Sequence, residues 1–142
     1  RARRSFHSMC LLMFDVDYFK KINDTYGHDI GDQVLQKIAE IARKEMRRAD
    51  ILARFGGEEF VALLPETSLE DAVMIANRLR KNIESHPIKI KNSELVNFTI
   101  SIGVSRLNQE YVDLQSLIKQ ADIALYRAKQ NGRNQVISFE PV

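Results

Sequence analysis

Near its centre, over residues 51–65, the chain reads ILARFGGEEFVALLP. Two apolar runs, residues 51–55 and 59–64, flank a pair of glycines, which predicts two strands joined by a tight turn. Pro65 cannot donate a hydrogen bond to a sheet and therefore ends the second strand. Because glycine adopts positive φ freely, we expect Gly56 and Gly57 to form the turn and to leave bare backbone at the tip of the hairpin.

Helical patterns lie on both sides of this hairpin. Residues 18–26 form a short predicted helix that ends at Gly27, and residues 29–48 form a longer one with an apolar stripe. After the hairpin, Ser68 resembles the first residue of a capping box for a helix through residue 85. Residues 114–130 form a last helix, closed by Asn131 and Gly132 as a C-cap.

The remaining strands lie near the ends of the chain. Residues 9–14 are an apolar run, typical of a buried strand that opens into a polar turn. Residues 98–104 alternate in polarity, which predicts a strand with one buried face. Short strands are predicted over residues 88–91 and 135–139. The order β-α-α-β-β-α-β-β-α-β predicts an α+β fold with a central mixed, mostly antiparallel sheet flanked by helices.

Length and composition predict a single domain over residues 1–142, because the chain can form one hydrophobic core but not two. A net charge of +2 is too balanced to favour a nucleic-acid partner. The longest apolar run is too short to span a bilayer, and no signal-peptide pattern is found. We therefore expect a cytoplasmic domain without membrane contact. Cys10 is the only cysteine and is predicted to be a buried, inert thiol, with a reactive thiol as the alternative.

Four acids stand where the predicted strands open into turns: Asp15, Asp17, Glu58 and Glu59. If the first strand pairs beside the hairpin, Asp15 and Glu58 converge. Mg²⁺ prefers such oxygen ligands and takes one or two carboxylates, waters and substrate phosphates. The alternative is that all four acids are solvated turn residues.

Cations lie close to two helix ends. Lys20 and Lys21 lie in the first turns of the short helix, whose free N–H groups can bind phosphate. Lys129 and Arg133 lie beside the end of the last helix. They are candidates for phosphate binding, but a helix C-terminus favours cations in any case.

The central motif resembles the signature of the GGDEF family in its GGEEF form. The resemblance covers nearly the whole chain and includes, in order, Phe14-Asp15-Val16-Asp17-Tyr18-Phe19-Lys20, Asn23-Asp24, Gly27-His28, Gly31-Asp32, Arg54-Phe55, Ser101-Ile102-Gly103, Ala121-Asp122, Ala124-Leu125-Tyr126, Ala128-Lys129 and Gly132-Arg133-Asn134. It implies a fold similar to the palm of class III nucleotidyl cyclases and some polymerases. It also implies a diguanylate cyclase, which joins two GTP molecules into cyclic di-GMP and releases pyrophosphate.

The resemblance implies a role for each acid and cation. Asp15, Glu58 and the carbonyl of Val16 should hold Mg²⁺, with Mn²⁺ as an alternative ion. Glu58 or Glu59 should assist removal of the proton from the attacking 3′-hydroxyl. Lys20 should stabilise charge on the phosphates, and Lys129 and Arg133 should hold the terminal ones.

The same resemblance implies a guanine site. Asn23 and Asp32 match the family's guanine-binding pair, and His28 lies in the same loop. A carboxylate can accept hydrogen bonds from both N1–H and the exocyclic amine of guanine, a donor pair that adenine lacks. The remaining substrate-binding positions implied are Tyr18, Phe19 and Gly57.

A regulatory site is implied by Arg47-Arg48-Ala49-Asp50. The pattern resembles the family's Arg-x-x-Asp product-inhibition site, with Arg78 where the family often supplies a second arginine. Arginine can grip phosphate or the Hoogsteen edge of guanine, and Asp50 can bind its Watson–Crick edge. The alternative is an ordinary charged helix end with a local ion pair.

The chain departs from the family pattern at its start. Ala2 stands where the family usually has Asn, and the stretch that normally precedes it is missing, so we expect the chain to belong to a longer protein, which could be membrane-anchored. Because one site holds one GTP, turnover should need a homodimer. Two further hypotheses are a catalytically silent cyclic di-GMP receptor and a cyclase of another nucleotide.

Overall fold

The structure, a computed structural model, describes residues 8–107 and 113–140. Its elements are β1 Cys10–Val16, α1 Phe19–Tyr26, α2 His28–Glu45, β2 Ile51–Arg54, β3 Glu59–Leu64, α3 Leu69–Glu84, β4 Ile88–Lys89, β5 Leu95–Val96, β6 Ile100–Arg106, α4 Leu114–Gln130 and β7 Val136–Ser138. The predicted order is confirmed except for β5, which the sequence did not indicate. This two-residue strand pairs only with β4. The departure at Ala2 lies outside the described residues.

The main sheet has five strands in the order β2-β3-β1-β6-β7. All neighbouring pairs are antiparallel except β6 with β7, which is parallel. The predicted mixed, mostly antiparallel sheet is therefore confirmed. Because β1 lies beside β3, the end of the first strand meets the start of the hairpin's second strand.

The central strand β1 is buried along its whole length because helices cover both faces of the sheet. Successive side chains of a strand point to opposite faces. Leu12 and Phe14 pack in the core that α2 and α3 cover, whereas Leu11 and Met13 pack under α4. Asp15 follows Leu11 and Met13 in this alternation, which places it on the α4 face near the end of the strand.

The prediction that residues 98–104 have only one buried face is wrong. Ile100, Ile102 and Val104 face α2 and α3 as expected, but Ser101 and Ser105 are also buried. Small side chains allow α4 to lie close on this side, and the Ser105 hydroxyl donates to the carbonyl of Leu117 at 2.7 Å. A satisfied serine can be buried without a large penalty, which is why polarity alone misjudged this face.

Local predictions at two termini and at the thiol are confirmed. The Ser68 side chain accepts a hydrogen bond from the Asp71 amide at 3.1 Å and caps α3. Gly132 has φ of 114° just beyond the end of α4. Cys10 is fully buried, and its burial raises the pKa of the thiol to about 11, consistent with an inert cysteine.

Gly103 on β6 marks the closest approach between the sheet and α4. A Cβ at this position would overlap the carbonyl oxygen of Ala121 and backbone atoms of Leu125. We expect Gly103→Ala to lower the free energy of unfolding by about 3 kcal/mol, because backbone atoms of a packed helix cannot rotate away. Chemical denaturation measures this change. The matched control is Gly57→Ala, since a Cβ there meets no atom within 4 Å. Similar losses in both variants would contradict the close approach.

In the described part of the chain, no helix combines the length and the apolar character that a membrane span requires.

Candidate active site

Three acids converge where β1 and the hairpin meet. Asp15 and Glu59 are directly opposite each other in the antiparallel pair of β1 and β3. Opposite residues point to the same face of a sheet, with Cβ atoms about 5 Å apart. Glu58 precedes Glu59 at the tip of the hairpin, and burial, followed by the charge of Asp15, raises the pKa of Glu58. The expected convergence of Asp15 and Glu58 is therefore supported by the strand pairing.

Asp15, Glu58 and Glu59, here called the acid cluster, are crowded carboxylates whose negative charge is disfavoured. Burial raises the pKa of Asp15, although its hydrogen bond to Lys129 opposes the shift. The pKa values of Glu58 and Glu59 are also raised, first by burial and then by the charge of Asp15. Asp122 on α4 contributes to the shift of Glu59. Crowded, partly desolvated carboxylates of this kind are typical of sites that bind a cation or transfer a proton.

Only one of the two carboxylate oxygens of Asp15 has a hydrogen-bond partner. The carboxylate is 4% exposed, and its Oδ2 accepts a hydrogen bond from the ammonium group of Lys129 at 2.6 Å. Its Oδ1 is buried and has no hydrogen-bond partner. A buried oxygen left without a donor is costly, so this atom is suited to a cation or a protonated group.

The donor set fits Mg²⁺ or Mn²⁺ rather than a metal that needs a complete protein cage. Although Asp15, Glu58 and Glu59 lie near one another, no three His, Cys, Asp or Glu side chains within residues 8–107 and 113–140 are grouped closely enough to form a complete ligand set. Asp15 and Glu58, with the carbonyl of Val16 at the end of β1, offer hard oxygen ligands only. Mg²⁺ uses one or two carboxylates and completes its shell with water and substrate phosphates.

The glycines at the hairpin tip differ from the prediction in one respect. Neither Gly56 nor Gly57 has positive φ, because the connection between β2 and β3 is long enough to avoid a tight turn. The guanidinium of Arg54 binds the carbonyl of Gly57 across this loop, with Nη2 at 2.5 Å. The bare surface is confirmed, since no atom lies within 4 Å of the position that a Gly57 side chain would take.

The turn between β1 and α1 brings Tyr18 and Lys20 to the same end of the sheet. Tyr18 has φ of 57° and is 62% exposed, which leaves its ring at the surface. The side chain of Lys20 is 93% exposed and lies 3.8 Å from Asp24. An exposed ion pair of this kind is weak, so Lys20 is free to turn toward a phosphate.

Lys129 and Arg133 are separated in the structure although they are four residues apart in sequence. Lys129 lies against Asp15, inside the acid cluster. Arg133 stacks over the ring of Tyr18 at 4.6 Å and lies 3.9 Å from Asp17. The two cations therefore pair with different acids, Lys129 with Asp15 in β1 and Arg133 with Asp17 just after it.

Asp17 does not belong to the acid cluster. Its carboxylate is buried and accepts hydrogen bonds from the hydroxyls of Thr99 and Ser101. The alternative of a solvated turn residue is therefore wrong for Asp17, because this acid is buried and neighbouring donors bind its oxygens.

One residue of the predicted guanine pair, Asn23, contacts Gly31, the residue that precedes Asp32 in the chain. Asn23 on α1 packs against Gly31 on α2, where any Cβ would overlap its Oδ1. That oxygen is buried without a partner, and Phe19 borders the same contact. Asp32 follows Gly31 and is exposed, as is His28 one turn earlier. Gly31 allows this close contact, which the sequence analysis did not anticipate although Gly31 stands in a quoted motif.

A cavity of about 440 Å³ begins one turn beyond Asp32. It lies between α2 and the hairpin and is lined by Leu35, Gln36, Ala39, Glu40, Arg43, Leu52, Arg54 and Phe60. Arg54 joins this cavity to the hairpin tip, a role that the sequence analysis did not assign. Apolar and polar or charged residues line it in equal number, so the cavity offers both packing surface and hydrogen-bonding groups to a ligand.

The residues of the predicted inhibitory site lie around the C-terminal end of α2, where the adjoining cavity shares Arg43 and Leu52 with the cavity just described. The Arg47 guanidinium pairs with Asp50 at 2.8 Å, and Arg78 pairs with Glu45 at 2.6 Å. The local ion pair of the alternative interpretation is therefore present. A shallow cavity of about 370 Å³ adjoins it, lined by Arg43, Met46, Arg47, Arg48, Asp50 and Leu52.

Comparison with known proteins identifies related sequences. The family model described as diguanylate cyclase, GGDEF domain, matches residues 1–135. Diguanylate cyclase A of Treponema denticola is 47% identical over 129 residues, which are 91% of this chain and 34% of that protein. Response regulator PleD of Caulobacter vibrioides is 46% identical over 127 residues, 89% of this chain and 28% of that protein. The chain thus spans about a third of the length of these relatives.

Solved structures show the same fold. The active GGEEF domain of a diguanylate cyclase from Vibrio cholerae has a TM-score of 0.90 at 34% identity, covering 100% of this chain and 89% of that one. The GGDEF domain of DgcB from Caulobacter crescentus, in complex with c-di-GMP, has a TM-score of 0.90 at 31% identity, covering 96% and 81%. By sequence and by structure, this chain belongs to the GGDEF family of diguanylate cyclase domains.

Proposed function

We propose that this domain condenses two GTP molecules into cyclic di-GMP and two pyrophosphates. The observation that carries the proposal is the acid cluster of Asp15, Glu58 and Glu59 beside the bare backbone of Gly57. The buried Oδ1 of Asp15 has no hydrogen-bond donor and is therefore suited to bind a cation. The open space at Gly57 can accommodate a phosphate chain. The named relatives with diguanylate cyclase activity support the same reaction.

Asp15 and Glu58, with the Val16 carbonyl, would hold Mg²⁺ or Mn²⁺. When bound, such an ion neutralises the triphosphate and makes the attacking 3′-hydroxyl more acidic. In the free site Lys129 neutralises Asp15 at 2.6 Å, and a substrate phosphate offers the same ammonium a second acceptor. The raised pKa values of Glu58 and Glu59 suit either of them to take the proton from the hydroxyl.

The other cations contribute charge stabilisation. Lys20 is exposed at the start of α1 and can reach the phosphates from the side of the β1–α1 turn. Arg133 binds the terminal phosphates, which leave as pyrophosphate. Negative charge grows on these oxygens as the bond to the α-phosphate breaks, so fixed cations lower the barrier.

A second copy of the chain completes the reaction. Each site holds one GTP, and the 3′-hydroxyl of each nucleotide must face the α-phosphate of the other. Two-fold symmetry provides this arrangement in both directions at once. We therefore propose a cytoplasmic homodimer as the active form, with specific activity that rises with protein concentration.

The direct test is product identification. The purified chain at high concentration is incubated with Mg²⁺ and either GTP or ATP, and the products are separated by chromatography. We expect cyclic di-GMP from GTP only and none without the divalent ion. Binding of cyclic di-GMP without any turnover of GTP would instead favour a silent receptor, and a cyclic product formed from ATP as fast as from GTP would contradict the guanine site.

Arg47, Asp50 and Arg78 are proposed to form a product-inhibition site. A charge-assisted hydrogen bond contributes about 1.5–3 kcal/mol, so we expect Arg47→Ala to weaken cyclic di-GMP binding by about tenfold to a hundredfold. Turnover at low product concentration should not change, because Arg47 lies outside the acid cluster. Isothermal titration calorimetry measures the binding. Arg106→Ala, an exposed arginine at the end of β6, is the matched control. If Arg47→Ala binds cyclic di-GMP as tightly as the wild-type chain, the proposed product-inhibition site is wrong.

A further inference from the structure

A buried carboxylate with donors on both oxygens lies behind the phosphate end of the site. Asp17 is 3% exposed. Its Oδ2 accepts hydrogen bonds from the Thr99 hydroxyl at 2.6 Å and from the Asn134 backbone N–H at 3.0 Å. Its Oδ1 accepts from the Ser101 hydroxyl at 2.6 Å and lies 3.9 Å from the guanidinium of Arg133. Unlike Asp15, this carboxylate has no oxygen left for an external ligand.

The loop that Asp17 holds has an unfavourable backbone. Gly132, Arg133 and Asn134 all have positive φ, at 114°, 65° and 49°. Only glycine adopts this region freely, so the two other residues are strained unless the surroundings fix them. Asp17 contacts both of them, the backbone of one and the side chain of the other.

Further contacts fix the same loop from outside the site. The Asn134 side chain accepts a hydrogen bond from Arg80 at 3.0 Å and donates one to Glu84 at 2.9 Å, both on α3. The Arg133 guanidinium rests on the ring of Tyr18. Its side chain is 31% exposed, so a ligand can still reach it. The loop thus bridges α3 and the end of β1, with Asp17 at the centre.

We infer that Asp17 is a positioning residue that sets Arg133 for the terminal phosphates of GTP. The inference rests on the proposed function, in which Arg133 binds those phosphates. Asp17 touches neither the substrate nor the reacting atoms. It fixes the left-handed loop and orients the guanidinium, so that Arg133 does not have to be ordered when GTP binds.

Binding measurements with two nucleotides test this role. The probes are GMP and a GTP analogue with a methylene group in place of the α,β-bridging oxygen, each with Mg²⁺ present. In Asp17→Asn one carboxylate oxygen becomes an NH2 group, which cannot accept the hydrogen bonds that Thr99, Ser101 and Asn134 donate to Asp17. We expect affinity for the GTP analogue to fall about tenfold and affinity for GMP, which lacks the terminal phosphates, to change by less than about twofold. Asp71→Asn, an exposed acid on α3, is the matched control.

A double mutant separates positioning from a general structural effect. In an Arg133→Ala background, Asp17→Asn should add less than about a twofold further loss, because its effect passes through the arginine. A full additional loss, or equal losses for both probes, overturns the positioning role while leaving the proposed function intact. Failure of the wild-type chain to bind the GTP analogue overturns both. If Asp17→Asn does not fold, Thr99→Val is the second variant, because it removes one of the hydrogen-bond donors to Asp17. Its affinity for the GTP analogue should fall about threefold, with no matching loss for GMP. Equal affinity changes for the two nucleotides would overturn the positioning role.

Discussion

Replacing Glu58 with glutamine should reduce the rate of cyclic di-GMP formation by about a thousandfold or more. The substitution keeps the size of the side chain but removes its negative charge from the acid cluster. A neutral amide is a poor ligand for a divalent cation and cannot act as a base. The initial rate of product formation at saturating GTP and Mg²⁺ measures the effect.

The matched control for this variant is Glu94→Gln, in which the same change is made at an exposed position between β4 and β5. We expect wild-type turnover from it. Glu58→Gln should remain folded, because removing its charge relieves the repulsion from Asp15 and Glu59, which, after burial, raises the pKa of Glu58 itself. A stable Glu58→Gln variant that cyclises GTP at the wild-type rate would show that the acid cluster is not the reaction centre.

The hairpin and its acids could be predicted from the sequence because the information is local. A glycine pair between two apolar runs predicts the turn, and Glu58 follows directly from it. The meeting of Asp15 with this turn required one assumption, that β1 pairs beside β3, and the strand order confirms it. The helix ends at Ser68 and Gly132 were predictable for the same reason, since capping depends on residues close in sequence.

What the sequence could not indicate depends on contacts between distant parts of the chain. Lys129 lies 114 residues from Asp15, and nothing in either local pattern shows that they pair. Asp17 has the sequence appearance of a turn acid, but its donors come from β6 and from the loop after α4. The second buried face of β6 depends on the close approach of α4 at Gly103, which alternation of polarity does not report. Tertiary packing decides each of these features.

The second prediction with a large expected effect concerns Asp32 and the choice between guanine and adenine nucleotides. Its carboxylate is exposed on the first turns of α2, one residue after the contact between Asn23 and Gly31. Guanine offers two adjacent donors, N1–H and the exocyclic amine, and a carboxylate accepts from both. We expect Asp32→Ala to lower kcat/KM for GTP by about a hundredfold to ten-thousandfold while leaving the low activity with ATP unchanged. Steady-state rates with both nucleotides measure the ratio.

Inosine triphosphate identifies the contact itself, because it lacks the exocyclic amine but keeps N1–H. The wild-type chain should use it less well than GTP, and Asp32→Ala should no longer distinguish the two. Asp29→Asn, one turn earlier on the same helix, is the control and should keep the wild-type preference. If Asp32→Ala retains the full discrimination between GTP and ATP, the carboxylate does not read the base. Selection must then come from the shape and the other polar side chains of the cavity that Leu35, Gln36 and Phe60 line, rather than from Asp32.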